Sequence, residues 1–119
     1  MVFTDLGKGQ LMRLLTGNTT SYVTAMAWGT QGITASATDT ALFNEVQRNS
    51  IASTTNVDPE AELEGILEAA DANGLTISEV GLYTSTTSGV GKLVARAVFG
   101  GILKDSETEV DTIFTVRAT

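Results

Sequence analysis

The residues of this chain that could do acid–base chemistry are carboxylates, and they are densest at Glu60, Glu62, Glu64, Glu68 and Asp71. The chain has no histidine and no cysteine. Because histidine is the commonest general base and metal ligand, neither a Ser-His-Asp triad nor a Cys-His pair can be built here. The acidic stretch has no partner that would orient a base, and such charge runs are typical of a solvated strand face or loop. We therefore predict no catalytic activity, no required metal and no cofactor.

Two short motifs resemble ligand-binding loops but lack residues that those loops need. Residues 89–92 are Gly-Val-Gly-Lys, but a phosphate loop needs Gly and Ser or Thr where this chain has Thr86 and Leu93. Residues 71–74 are Asp-Ala-Asn-Gly, without the first Asp and the closing Glu of a calcium loop. Because Asn and Gly tolerate positive φ, the second motif predicts a turn.

Glu79 and Arg96 differ from their neighbours, since each lies in a stretch of small or apolar residues that is typical of a strand. A buried charge needs a partner, and long side chains on paired strands can satisfy one another across a sheet. We therefore predict that Glu79 and Arg96 form a structural pair.

The N-terminal arm, residues 1–20, contains the strongest helical signal, over residues 5–16. Leu11, Leu14 and Leu15 recur there at near-helical spacing, although two glycines weaken the first half. The pattern leaves two interpretations open. The helix either docks on a neighbouring subunit or lies on the sheet of its own domain.

Residues 21–119 have the composition of an antiparallel β-sandwich, and the length of the chain is that of a single domain, 1–119. A glycine in the middle of 60–69 counts against a helix, so we predict a strand there. A loop over 29–38 leads to a short helical turn over 41–45, and 84–91 form a hairpin loop. The predicted strands are 21–28, 48–57 with its exit loop, 60–69, 77–84, 93–99 and 110–117.

The net charge of −7 limits the classes of partner. An acidic surface repels phosphate backbones and anionic membrane surfaces, so we predict no nucleic-acid partner and no membrane partner. The sequence has no apolar run near the roughly 20 residues that cross a bilayer, and its start does not resemble a signal peptide.

The last two predicted strands carry apolar or neutral residues on both faces, with Phe99 in one strand and Phe114 in the other. A two-layer domain covers one face of each sheet with its own core, so the other face calls for a partner. This pattern predicts a homo-oligomer or a repeated copy within a larger assembly.

Trp28, Tyr22 and Tyr83 are the aromatic residues that a carbohydrate-binding sandwich would offer to a sugar. Large aromatic residues are mostly well buried, so we expect them in the core or in an interface. A host glycan is therefore the less favoured partner.

The order and spacing of several motifs resemble those of a family of small tailed-phage structural proteins, over residues 22–117. The first half has Trp-Gly-Thr at 28–30, Ser-Ala-Thr-Asp-Thr-Ala-Leu at 36–42 and Glu-Val-x-Arg at 45–48. The second half has Ala-Asn-Gly at 72–74, Ile-Ser-Glu-Val-Gly-Leu-Tyr at 77–83, Leu-Val-Ala-Arg-Ala-Val-Phe at 93–99 and a Thr-rich strand at 112–116.

The resemblance implies a building block of the virion that binds its neighbours, most consistent with a tail, baseplate or fibre-attachment protein. A head-decoration or accessory protein is one alternative, and a carbohydrate-binding sandwich is another. Copies of the chain, with a trimer favoured by analogy, and other virion proteins are the implied partners. The structural or interface residues that we predict are Leu11, Leu14, Leu15, Trp28, Glu79, Tyr83, Arg96, Phe99 and Phe114.

Overall fold

The computed structural model of the chain describes residues 1–117 and is mainly β, with one short helix in that range. In chain order its elements are β1 (Val2–Phe3), α1 (Asp5–Leu15), β2 (Ala25–Gly29), β3 (Glu45–Ser50), β4 (Ser53–Val57), β5 (Glu60–Leu67), β6 (Thr76–Tyr83), β7 (Leu93–Leu103) and β8 (Val110–Arg117). The described part of the chain contains no helix that is long and apolar enough to cross a membrane.

The strands form two antiparallel sheets. The large sheet has the order β1-β7-β6-β2-β3, and the small sheet has the order β4-β5-β8. The chain passes from the large sheet to the small one between β3 and β4, returns between β5 and β6, and crosses again between β7 and β8. The predicted antiparallel β fold with a short N-terminal helix is therefore confirmed.

The main core lies between the two sheets. Met26, Trp28, Val80 and Leu82 belong to the large sheet and are almost completely buried. They form one cluster with side chains of the small sheet, notably Phe114. The indole N–H of Trp28 also donates to the hydroxyl of Thr112 on β8, at 3.3 Å. Apolar contact and this hydrogen bond therefore join the two layers.

The opposite face of the large sheet is covered by the chain itself, not by another sheet. Segment 30–44 has no regular secondary structure and crosses this face. Its Leu42 packs in a second apolar cluster with Tyr83 and Leu93 of the sheet, and the Leu42 N–H donates to the Tyr83 hydroxyl at 2.8 Å. The large sheet is thus buried on both sides in its middle, which explains why β2 is buried at every position.

Helix α1 is fixed to the large sheet by its first turn. The buried Thr4 caps it by accepting a hydrogen bond from the Gly7 N–H, and its hydroxyl donates to β7 carbonyl oxygens. Gly7 lies against the backbone of Val94, in a space that a Cβ atom could not share. The buried positions of the helix are Gly7 and Gln10, whereas its leucines are at most partly buried.

Several predicted elements are confirmed. The helix begins at Asp5, the stretch after residue 60 is a strand, and the three C-terminal runs form β6, β7 and β8. β7 continues four residues beyond the predicted end, to Leu103. Residues 118 and 119 of the predicted sandwich lie outside the described residues.

Three predictions were wrong in detail. The helical turn predicted over 41–45 is absent from that segment, because the N–H groups of residues 42–44 donate to side chains of β6 and not along a helix. The single strand predicted over 48–57 is two strands in different sheets. The first predicted strand begins at Ala25 and not at residue 21, because Ser21 is bound by the Gln10 side chain of α1. The two-residue strand β1 was missed, because it is too short to show a pattern.

Two glycines of α1 provide a matched test of this packing. Gly7→Ala should lower the free energy of unfolding by about 1–3 kcal/mol, since the added methyl must push the helix off β7. Gly9→Ala meets no atom within 4 Å and should raise it by about 0.5–1 kcal/mol through helix propensity. Urea denaturation measures both, and equal stabilisation by the two variants would contradict the docked position of α1.

Candidate functional site

Glu79 is the most deeply enclosed carboxylate of the described chain, with no exposed surface. One of its oxygens accepts from Arg96 Nε at 3.0 Å and from the N–H of Phe43 at 2.9 Å. The other accepts from the N–H groups of Gln31 at 3.2 Å and Asn44 at 2.9 Å. Four donors therefore occupy this carboxylate, which leaves it poorly placed to take a proton from a substrate.

Arg96 is equally buried and completes the same centre. One terminal nitrogen donates to the Ile33 carbonyl at 2.8 Å and to the Asp39 carboxylate at 3.2 Å, and the other to the Gln31 carbonyl at 3.2 Å. The guanidinium also lies 4.5 Å from the centre of the Phe43 ring. Every one of these partners belongs to segment 30–44.

The predicted Glu79–Arg96 pair is thus present, and what it holds is the segment that covers the sheet. The sequence predicted a contact between two neighbouring strands. Glu79 lies on β6 and Arg96 on β7, and the register pairs Arg96 with Gly81, two residues from Glu79. Sequence reasoning did not anticipate that the pair would also bind a loop through three N–H groups and two carbonyl groups. All the hydrogen bonds of this centre are to other residues of the chain, which is the arrangement expected of a structural pair.

Arg48 holds a second loop, which sequence reasoning missed. Its guanidinium lies 3.7 Å from the centre of the Tyr83 ring and donates to carbonyl groups of Ser85, Thr87 and Val90 at 2.7–3.0 Å. It also forms an ion pair with Glu45 at 2.6 Å. Burial in this cluster raises the pKa of the Tyr83 hydroxyl. The hairpin loop between β6 and β7 is therefore organised by a cation from β3.

Lys104 holds a third loop, also missed. It is completely buried directly after β7, and its ammonium donates to the carbonyl groups of Ala69 and Asp105 and to the Asn73 side chain, at 2.9–3.1 Å. The predicted turn at Asn73-Gly74 lies in this loop, with Gly74 at positive φ. A lone lysine at a strand end gave no signal of this role in the sequence.

The acidic residues between 60 and 71 lie partly on the surface of the small sheet and partly in a hydrogen-bonded loop. Glu60, Glu62 and Glu64 alternate along β5 on the outer face of the small sheet, and Glu60 pairs with Arg117 at 3.3 Å. Asp71 instead accepts hydrogen bonds from Asn49 and from the Glu68 N–H. Within residues 1–117, no three His, Cys, Asp or Glu side chains are grouped as a metal site would require.

The structure separates the predicted aromatic candidates. Trp28, Tyr83 and Phe114 are at most 4% exposed and lie in the two cores. Phe99 is half-buried at the edge of the main core. Tyr22 is 66% exposed, beside α1. Of the three residues that could have offered a stacking face to a sugar, Tyr22 is thus the one that reaches the surface.

The predicted leucines of α1 lie at the surface. Leu11, Leu14 and Leu15 are 46%, 37% and 73% exposed, and Met12 is 53% exposed. We name Lys8, Leu11, Met12 and Leu15 the α1 surface, since their spacing of i, i+3, i+4 and i+7 places them on one helical face. Leu11 and Leu14 also border an apolar cavity of about 190 Å³ beneath the helix, with Leu63, Leu82 and Val116.

A second apolar opening lies at the far end of the sandwich, where the small sheet leaves part of the large one uncovered. We name it the β7–β8 groove. It has a volume of about 490 Å³, and its lining includes Phe99, Ile102, Val110, Ile113 and Phe114. Asp111 also lines it. The groove and the α1 surface lie at opposite ends of β7, because α1 packs at Val94 while the groove includes Ile102.

The exposed charges of the chain are also separated between these ends. Lys8 and Arg13 project from α1, and no ion pair within residues 1–117 involves them. The turn from β7 to β8 carries the acidic side chains of Asp105, Glu107 and Glu109, and β8 adds Asp111; all four are exposed. Hydrogen bonds from the Thr108 hydroxyl and from the Glu107 N–H lower the pKa of Asp105, so this carboxylate keeps its charge.

Comparison of the chain with protein-family models, with curated proteins and with solved structures finds no match. Its function is therefore inferred from its own residues and their geometry. The geometry offers buried charges that bind loops and two apolar surfaces that bind nothing within the described chain.

The buried pair generates a direct test. Arg96→Ala should lower the free energy of unfolding by about 3–5 kcal/mol, because it leaves the Glu79 carboxylate buried without its cation. The matched control is Arg117→Ala, which removes an exposed pair with Glu60 and should cost less than about 1 kcal/mol. Chemical denaturation of both variants decides the matter, and an Arg96→Ala variant as stable as the control would refute the structural role.

Proposed function

We propose that the chain is a non-catalytic structural component of a tailed-phage particle and acts through contacts with other proteins. The observation that carries the proposal is the α1 surface, where a helix anchored by its first turn presents apolar side chains outward. The resemblance of the motifs over 22–117 to small tailed-phage structural proteins supports the same assignment.

The exposed leucines of α1 favour docking over a purely internal role for the helix. With Met12 and the neighbouring Tyr22 they form an apolar patch on the order of several hundred Å², a size at which patches on monomers are often functional. A helix needed only to cover its own sheet would turn this face inward. Instead Gly7 makes the close contact of α1 with the sheet, Leu11 and Leu14 border the cavity beneath the helix, and Met12 and Leu15 remain on its outer side.

The buried charges support a role without catalysis. Glu79, Arg96, Arg48 and Lys104 use their polar atoms to hold segments of the chain. Residues of an active site keep a donor, an acceptor or a nucleophile directed at a substrate. Among the described residues, every buried side-chain nitrogen and oxygen has a partner in the chain, as expected of groups that serve structure.

Within the particle, we favour a tail, baseplate or fibre-attachment position, on the resemblance alone, with head decoration as the alternative. A carbohydrate-binding role is less well supported, since Trp28 and Tyr83 lie in the interior. Tyr22 would have to supply the stacking face by itself, and it adjoins the apolar α1 surface.

Composition of purified particles tests the proposal. In a phage that carries this gene, virions purified by density gradient should contain the chain in several copies, measured by quantitative mass spectrometry. A Leu15→Glu variant should keep its fold, since Leu15 is 73% exposed, but should be lost from particles at least tenfold relative to the wild type. Val90→Glu is the control, because Val90 is 51% exposed in the hairpin loop and lines neither the cavity beneath α1 nor the β7–β8 groove. Particles that lack the wild-type chain would overturn the proposal.

A further inference from the structure

We propose that the partner of the α1 surface is a second copy of this chain, and that α1 of one copy docks in the β7–β8 groove of the next. The inference rests on the proposed function, in which the α1 surface is a docking face, and it adds the identity of the partner and the position of its site. Three observations support it. Both surfaces are apolar, the charges beside them are opposite, and the two surfaces cannot meet within one molecule.

The two surfaces match in type. Leu11, Met12 and Leu15 lie on one exposed face of α1, beginning one turn after Lys8, as the apolar anchors of an amphipathic helix that enters a groove do. The β7–β8 groove is apolar along most of its lining, with Phe99, Ile102 and Val110 accessible from outside. It exists because a three-stranded sheet faces a five-stranded one and leaves the end of β7 uncovered.

The charges beside the two surfaces are opposite. The α1 surface contains Lys8, and neither Lys8 nor Arg13 forms an ion pair in the part of the chain that the structure describes. Arg13 lies on another side of the helix, near Lys92, and Asp5 is the one acidic residue of α1, so this end keeps an excess of positive charge. The groove is bordered by Asp111 and follows the acidic turn that contains Glu107 and Glu109. Three of the other cations, Arg48, Arg96 and Lys104, are already bound to loops. The free positive charge therefore gathers at α1, where the acidic end of another copy would attract it.

One molecule cannot make this contact with itself. The groove follows β7 from Ala97 to Ile102, and Ile102 is eight residues from Val94, where α1 packs, which is about 26 Å at the rise of a strand. Helix α1 is fixed to β7 through Thr4 and Gly7, so it cannot reach the groove at the other end. The contact therefore joins two molecules head to tail.

The geometry has a consequence for assembly. After one head-to-tail contact, one copy still has a free groove and the other a free helix, so the contact repeats and gives a ring or a filament. A contact of α1 with α1 would instead leave Lys8 without an acidic partner from the groove end, and it would close after two copies. The repeating arrangement is therefore the one that the charges favour.

Two blocked variants test this arrangement in the purified chain. Leu15→Glu blocks the helix and keeps the groove, whereas Ile102→Glu blocks the groove and keeps the helix. By analytical ultracentrifugation, the wild type should associate at tens of micromolar, each variant should be monomeric, and an equimolar mixture should give a 1:1 dimer and nothing larger. The Val90→Glu control should associate like the wild type. Melting curves establish that each variant is folded.

A charge exchange provides a second measurement that leaves the apolar lining of the groove unchanged. Lys8→Glu with Arg13→Glu should weaken self-association at least tenfold, and so should Glu109→Lys with Asp111→Lys. The chain that carries all four substitutions should recover most of the affinity, because both ends then have reversed charge. All four positions are exposed, so the fold should tolerate these changes.

The possible outcomes separate this inference from the proposed function. A wild-type chain that stays monomeric at tens of micromolar, or an Ile102→Glu variant that still dimerises, overturns the head-to-tail contact. Binding of α1 to another virion protein and not to a second copy also overturns it, while leaving the structural role in the particle intact. Self-association as described, in a chain that purified particles lack, supports the contact and overturns the proposed function.

Discussion

The ion pair between Glu79 and Arg96 is the interaction on which the rest of this structure depends. Burying both charges costs several kcal/mol, and the pair is tolerated because nearly every polar atom also binds segment 30–44. That segment has no secondary structure of its own, so its N–H and carbonyl groups need these partners once it lies on the sheet. With the segment in place, Leu42 covers Tyr83 and Leu93, and the large sheet becomes a buried layer.

Buried cations also bind two other loops of the chain. Arg48 binds carbonyl groups of the loop between β6 and β7, and Lys104 binds those of the loop before β6. A chain without cysteine has no disulfides to fix such loops, and a buried cation that collects carbonyl oxygens is a directional substitute. Three of the seven basic residues of the chain, Arg48, Arg96 and Lys104, are therefore used inside the fold. The remaining exposed positive charge lies mainly near α1.

The sequence allowed a good prediction of the strands and a poorer one of the loops. β6, β7 and β8 were recognisable because β-branched and aromatic residues form runs separated by turn residues. Segment 41–45 was assigned a helical turn because its local pattern fits one. Its backbone is instead determined by hydrogen bonds that its own N–H groups donate to Glu79 and Tyr83, more than 30 residues away. The sequence identified Leu11, Leu14 and Leu15 as candidates. It could not show that Gly7, considered a weakness of the helix, is its contact with the sheet. The β7–β8 groove was also beyond sequence reasoning, because it arises from the unequal sizes of the two sheets.

Hydrogen exchange at three backbone amides tests the central role of Glu79 most directly. The N–H groups of Gln31, Phe43 and Asn44 lie in a segment without regular structure and donate to the Glu79 carboxylate. If the buried pair holds this segment, these amides should exchange at least about 10³-fold more slowly than free amides, which corresponds to an opening free energy of about 4 kcal/mol. Gly32 and Thr34 are the internal comparison, since the described residues provide no acceptor for their N–H groups, and they should exchange rapidly. Rapid exchange at Gln31, Phe43 and Asn44 in the folded wild-type chain would contradict the account.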